Sequence, residues 1–148
     1  MQQSNDETNK PLILIVDDDK DFRAMMKIAL EKYGFQVAEA EDGNKALDLL
    51  YNLKPKPSLI LLDMVMPNMN GLDTLFNFKM HPVGKDIKVI MLTNKLDIKE
   101  ELGQLYTKMV KKFGGLEFIS KTEDLPTIIQ KINNSLNITN NIVNNSSK

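Results

Sequence analysis

The residues best able to do chemistry are acidic, and they follow apolar runs. Asp17, Asp18 and Asp19 come directly after LILIV, and Asp63 closes LILL. Thr93 and Asn94 follow a third apolar run, and Lys121 follows the mixed segment LEFIS. Two carboxylates about 4 Å apart repel by roughly 4 kcal/mol at an effective dielectric near 20. If these groups converge, they need a cation or a proton. Lys121 can offset one charge. The remainder points to a hard divalent ion, and with oxygen ligands alone Mg²⁺ is the natural choice. Mg²⁺ favours phosphate oxygens, so phosphate chemistry is the leading reading. An aspartate beside Mg²⁺ and a lysine is a candidate nucleophile toward phosphorus, with both cations neutralising the transferring group. The Thr93 hydroxyl would be free to hydrogen-bond a phosphoryl oxygen. A phosphoryl group on Asp63 would add about −1.5 to −2 charges there. Taken singly, each residue has an ordinary alternative: turn, helix cap, strand threonine or solvated lysine. Together, at the ends of four strands, they point to one site.

The elements that must bring them together alternate regularly. Strands are predicted at Leu12–Val16, Phe35–Glu41, Leu59–Leu62, Lys88–Leu92 and Leu116–Ser120. The continuous apolar runs of the first and third fit strands buried on both faces; the second is less apolar and suits an edge. The first helix spans 20–33, with Phe22, Met25, Met26, Ala29, Leu30 and Tyr33 on one stripe and Gly34 ending it. The second runs 44–53, with Ala46, Leu49, Leu50 and Leu53 inward, and Pro55 and Pro57 stop it. The third covers 71–80 with Leu72, Leu75 and Phe76. The fourth has the strongest period: Ile98, Leu102, Leu105, Tyr106, Met109, Val110 and Phe113. The fifth starts at Asp124 as N-cap, with Pro126 in its first turn and Ile128, Ile129, Ile132 and Leu136 facing inward. Five βα units imply an α/β fold: a parallel sheet with helices on both faces. Such folds bind ligands at the carboxyl ends of their strands.

Composition removes several competing classes. The chain has 148 residues, consistent with one domain, and a net charge of −1, which argues against nucleic-acid binding through bulk charge. There is no cysteine and one histidine, His81, which excludes disulfide scaffolds and thiolate sites and disfavours His-based triads. No apolar run reaches the roughly 18 residues of a membrane span, so no membrane partner is expected and a cytoplasmic location is the default. Residues 1–10 read as a disordered leader, 11–138 as the folded domain and 139–148 as an Asn/Ser-rich disordered tail.

The folded part resembles the response-regulator receiver domain of two-component signalling, the family that includes the chemotaxis regulator. The resemblance covers about 12–136. Its strongest signature is Asp63-Met64-Val65-Met66-Pro67-Asn68-Met69-Asn70-Gly71, matching D-x-x-M-P-x-M-x-G. Asp63 also lies 45 residues after Asp18 and 30 before Thr93, spacings typical of the family. The resemblance implies a flavodoxin-like (βα)5 fold with strand order 2-1-3-4-5. It implies that Asp63 is the phospho-acceptor. Asp18 would bind Mg²⁺ directly, Asp17 through water, and the backbone carbonyl of Val65 would be a further ligand. Thr93 corresponds to the switch hydroxyl, Lys121 to the phosphoryl-binding lysine and Phe118 to the aromatic switch residue. Asp19 has no fixed role there and reads as a helix N-terminal charge. The implied partners are a histidine kinase or histidine phosphotransferase and a downstream protein that reads the helix 4, strand 5 and helix 5 face.

The sequence departs from the family pattern in four places. Thr122 follows Lys121 where proline is usual, which predicts either a trans bond with a re-routed loop or a cis bond held by packing. Asn94 replaces a small residue after Thr93. Apolar Val65, with Lys95, flanks the acceptor where phosphoryl lifetime is tuned. The interval from Thr93 to Lys121, 28 residues, is longer than usual. The alternatives weighed are a degenerate receiver acting as a constitutive interaction module and an aspartate-nucleophile phosphohydrolase, which would need a second aspartate where Val65 stands. A flavin-binding flavodoxin shares the fold, but three aspartates after strand one would repel the cofactor's phosphate.

Overall fold

The computed structural model describes residues 10–94 and 100–138. The expected leader (but for Lys10) and tail, Lys95, Ile98 and the Leu102 side chain lie outside the described residues. The element order is β1 Leu12–Val16, α1 Lys20–Lys32, β2 Gln36–Ala40, α2 Gly43–Asn52, β3 Leu59–Asp63, α3 Gly71–Met80, β4 Lys88–Thr93, α4 Glu100–Lys112, β5 Glu117–Ser120 and α5 Leu125–Ser135. The five strands are parallel in the order 2-1-3-4-5. β2 is thus an edge strand, as its weaker apolar character predicts.

Strand alternation divides the core between the two faces of the sheet. Ile13, Ile15, Leu59, Leu61, Ile90, Leu92 and Ile119 face α1 and α5, where Phe22, Met26, Leu30, Ile128, Ile129 and Ile132 cover them. Leu14, Val16, Ile60, Leu62, Val89 and Met91 face the other way, against Ala46, Leu50, Leu75, Phe78 and Val110 of α2, α3 and α4. Each of these Leu, Ile, Val, Met and Phe side chains contributes about 1.5–3 kcal/mol on burial. The result is three layers with the sheet in the middle.

Local signals set the helix ends. Asp19, Asp42, Asn70 and Asp124 are N-caps, each accepting a backbone N–H from the first turn. Gly34 ends α1 at φ 91°: its N–H donates to the Glu31 carbonyl and Phe35 N–H to Leu30, the paired bonds of a left-handed helix terminus.

Among the described residues, three expected to face inward are exposed. Met25 is 52% exposed, Phe76 45% and Leu105 53%. In α3 the buried residues are Gly71, Thr74, Leu75 and Phe78, spaced at one helical face, so Phe78 takes the place expected for Phe76. Phe76 instead lies edge-on to Phe113 at 5.5 Å. The fifth strand begins at Glu117 rather than Leu116, which is 42% exposed.

Candidate functional site

The order 2-1-3-4-5 reverses direction between β1 and β3, and the carboxyl ends of those strands border the crevice where this architecture binds ligands. Register then sets the neighbours. Val16 pairs with Leu62, so Asp17 and Asp63, one residue further on, come side by side. Thr93 pairs with Ser120. The ladder continues past the strand ends: Asp17 N–H donates to the Ala40 carbonyl at 3.1 Å, Met64 N–H to Leu92 at 3.0 Å and Lys121 N–H to Thr93 at 2.8 Å. The backbone under each polar side chain is therefore fixed by the sheet.

The three consecutive aspartates take three different positions. Asp17 is fully buried; its Oδ1 accepts Asp19 N–H at 2.9 Å. Asp18 is exposed. Asp19 caps α1 through the N–H groups of Asp21 and Phe22, as its helix-terminal reading predicts. Asp63 is buried at the end of β3, and its Oδ1 faces Val65 N–H at 3.4 Å. The bend after it needs Gly71: Gly71 N–H donates to the Met64 carbonyl at 2.9 Å, and a Cβ there would lie 2.3 Å from the Asp63 carbonyl oxygen.

Lys121 joins the two buried carboxylates. Its Nζ lies 2.7 Å from Asp17 Oδ2 and 3.4 Å from Asp63 Oδ2. Burial first, and the Asp17 charge second, push Asp63 up to about 7, against the pull of Lys121 and of Val65 N–H. Burial acts to lower the Lys121 pKa, but hydrogen bonding and attraction to Asp17, then to Asp63, outweigh it, and the net shift is upward. The lysine is thus held as a cation.

One carboxylate oxygen from each of Asp17, Asp18 and Asp63 lies within 4.8 Å of the others. An all-oxygen set with excess negative charge fits a hard divalent ion such as Mg²⁺. Thr93 Oγ1, at the end of β4, is buried and has no hydrogen-bond partner among the described residues, as a hydroxyl kept for an incoming acceptor would be. Phe118 is half-buried opposite Met91 and packs on the α2, α3 and α4 side of the sheet. By strand alternation it shares that side with Thr93. Val65 is 61% exposed beside the acceptor, and Asn94 is exposed after Thr93. The Lys121–Thr122 bond is trans.

Two residues near the site went unnoticed in the sequence. Phe22, read as a core residue, holds its ring 4.9 Å from Lys121 Nζ, a cation–π contact. Arg23 Nη1 donates to the Asp17 carbonyl at 2.7 Å while its Nε pairs with Glu39 at 3.2 Å. It ties the acidic loop to the edge strand. The available signal was position: both fall in the first turn of α1, just after the acidic run.

Comparison with known proteins gives one consistent answer. Residues 13–133 match the response regulator receiver domain family. The sporulation initiation phosphotransferase F of Bacillus subtilis is 32% identical over 131 residues, covering 87% of this chain and 96% of that one. The phosphate regulon transcriptional regulatory protein PhoB of Escherichia coli is 34% identical over 113 residues, 74% of this chain. The chain spans about half of PhoB's length, and less of several other curated relatives. Among solved structures, the Vibrio cholerae chemotaxis protein CheY4 aligns with a TM-score of 0.73 at 25% identity, covering 84% of this chain and 98% of that one. A receiver domain protein from Methanospirillum hungatei aligns with a TM-score of 0.74 at 27% identity, covering 87% and 95%.

Proposed function

Since the chain belongs to the response regulator receiver family of two-component signalling, we propose that it works as a cytoplasmic, phosphorylation-dependent switch with Asp63 as its acceptor. The observation that carries this reading is Lys121 reaching both Asp17 and Asp63, with the Thr93 hydroxyl buried and unpaired among the described residues. An Asp63 carboxylate oxygen attacks phosphorus on a phosphohistidine of a kinase or phosphotransferase. The O–P bond forms as the N–P bond breaks, and the electron pair leaves with the imidazole. Lys121, already a cation, donates to a phosphoryl oxygen. Thr93 Oγ1 donates to another. Mg²⁺, held by Asp17, Asp18, Asp63 and the Val65 carbonyl, would neutralise charge on the phosphoryl group.

The added charge then biases a two-state element. Thr93 moves toward the phosphoryl group, Phe118 follows on the same side of the sheet, and the α4, β5 and α5 face changes for a downstream protein. In this reading the chain catalyses only its own phosphorylation and dephosphorylation. A phosphotransferase role, which is what the name of the Bacillus relative says of that protein, would pass the group from Asp63 to a second histidine.

Intact-protein mass after incubation with acetyl phosphate and Mg²⁺ tests the proposal. The expected result is one phosphoryl adduct, absent in Asp63→Ala and lost when EDTA is added beforehand. No adduct, with no binding of beryllofluoride, would instead favour a constitutive interaction module.

A further inference from the structure

The turn after β5 poses a specific problem. Lys121 must be aimed at two carboxylates, yet the next residue is Thr122, with no ring to stiffen the chain. Polar contacts supply the stiffness. Ser120 Oγ and Thr122 Oγ1 are 2.7 Å apart, and Thr122 N–H donates to Ser120 Oγ at 3.2 Å. Glu123 holds the Ser120 peptide from both sides. Its N–H donates to the Ser120 carbonyl at 3.1 Å, and its Oε1 accepts Ser120 N–H at 3.2 Å. Lys121 N–H is taken by the Thr93 carbonyl. By strand alternation the neighbouring Ser120 N–H faces the outer edge of the sheet, where none of the described strands receives it. The Glu123 carboxylate fills that place. The same Oε1 accepts Lys131 Nζ of α5 at 2.9 Å, and both side chains are largely shielded from solvent.

We infer that Glu123 is a positioning residue for Lys121, acting through Ser120 N–H and anchored to α5 by Lys131. The inference rests on the switch reading above and adds a specific link: a lysine on a flexible stem is fixed at its Cα by a carboxylate of the β5–α5 turn that is tied to α5 of the signalling face. Movement of α5 and the aim of Lys121 are then coupled through one oxygen atom.

The test uses the whole chain with Glu123→Ala, Glu123→Gln, Lys131→Ala and the double variant Glu123→Ala/Lys131→Ala. Two readouts are followed: the rate of phosphorylation by acetyl phosphate at saturating Mg²⁺, and the Lys121 side-chain resonances by NMR. Glu123→Ala is expected to slow phosphorylation about tenfold, the scale of a small misplacement of a reacting group, and to move the Lys121 resonances toward those of an exposed lysine. Lys131→Ala should shift both in the same direction by a smaller amount. Glu123→Gln, which keeps an acceptor for Ser120 N–H, should fall between Glu123→Ala and wild type. The double variant should be no slower than Glu123→Ala, because both residues act through one contact. Wild-type rate and resonances in both single alanine variants would overturn the inference. If Glu123→Ala does not fold, Lys131→Ala, a helix-favouring change at a partly exposed position, decides alone. A wild-type chain that takes no phosphoryl group overturns the switch reading, and the Lys121 resonances then decide the inference by themselves.

Discussion

Asp63 is buried beside another carboxylate, and the charge it carries when ionised opposes folding in the absence of a metal ion. Its pKa stands at about 7 in the folded chain against an ordinary 3.8. Below about 4 the group is neutral in both states and costs nothing. Between the two values the unfolded chain is ionised while the folded chain holds its proton, so the penalty grows with pH. Above 7 it is complete. Asp63→Asn removes the charge and is expected to stabilise the metal-free protein by about 1–3 kcal/mol at pH 8. The gain should vanish toward pH 4. Denaturant titrations in EDTA at the two pH values check this, and a gain independent of pH would contradict it. Val65 gives a second expectation at this scale. Its exposed, apolar side chain beside the acceptor cannot orient a water toward phosphorus. Val65→Asn is expected to shorten the phosphoryl half-life about fivefold. A half-life equal to or longer than wild type counts against that role.

Two glycines at helix ends separate two physical constraints among the elements. Gly34 needs a positive φ but has open space around it. Gly71 has no space: a Cβ would strike the Asp63 carbonyl oxygen and lie 2.8 Å from Met64 Cα, both backbone atoms. Gly34→Ala is expected to cost about 1 kcal/mol and to leave phosphorylation unchanged. Gly71→Ala is expected to cost about 1–3 kcal/mol and to lower the phosphorylation rate as well, since relief of the clash moves the backbone of the acceptor itself. Parallel stability and phosphorylation measurements on the two variants make the comparison. The exit turn of α4 also uses a glycine, Gly114 at φ 93°, with the Gly115 N–H donating to the Val110 carbonyl.

The whole molecule is held by two separate apolar layers, and the layer under α2, α3 and α4 contains the largest fully buried side chain, Phe78. Phe78→Ala is expected to cost about 3–5 kcal/mol, whereas Phe76→Ala, two residues away and nearly half exposed, should cost about 1 kcal/mol or less. Chemical denaturation of the two variants checks the order. The sequence pattern selects Phe76 instead, because an apolar residue at the border of a helical stripe looks the same whether or not a neighbour covers it. The stripes offered by α1 and α4 are likewise wider than the surface that covers them. Met25 and Leu105 fall on the uncovered side.

What the sequence determined by itself was local or periodic. Apolar runs of four or five marked the buried strands, cap residues and glycines marked helix ends, and a parallel α/β sheet followed from their alternation. The chemistry-bearing residues are legible because this architecture puts strand carboxyl ends in one crevice, so Asp17, Asp63, Thr93 and Lys121 group together from their positions along the chain. The tertiary structure decided what depends on distance between separate elements. It distinguished the three consecutive aspartates as a buried partner of Lys121, an exposed carboxylate and a helix cap. It brought Phe22 and Arg23 into the site and gave the turn at Thr122 a trans path held by Ser120, Glu123 and Lys131. Those contacts join residues on different elements, and periodicity along one element carries no information about which side chain of another will lie within 3 Å of it.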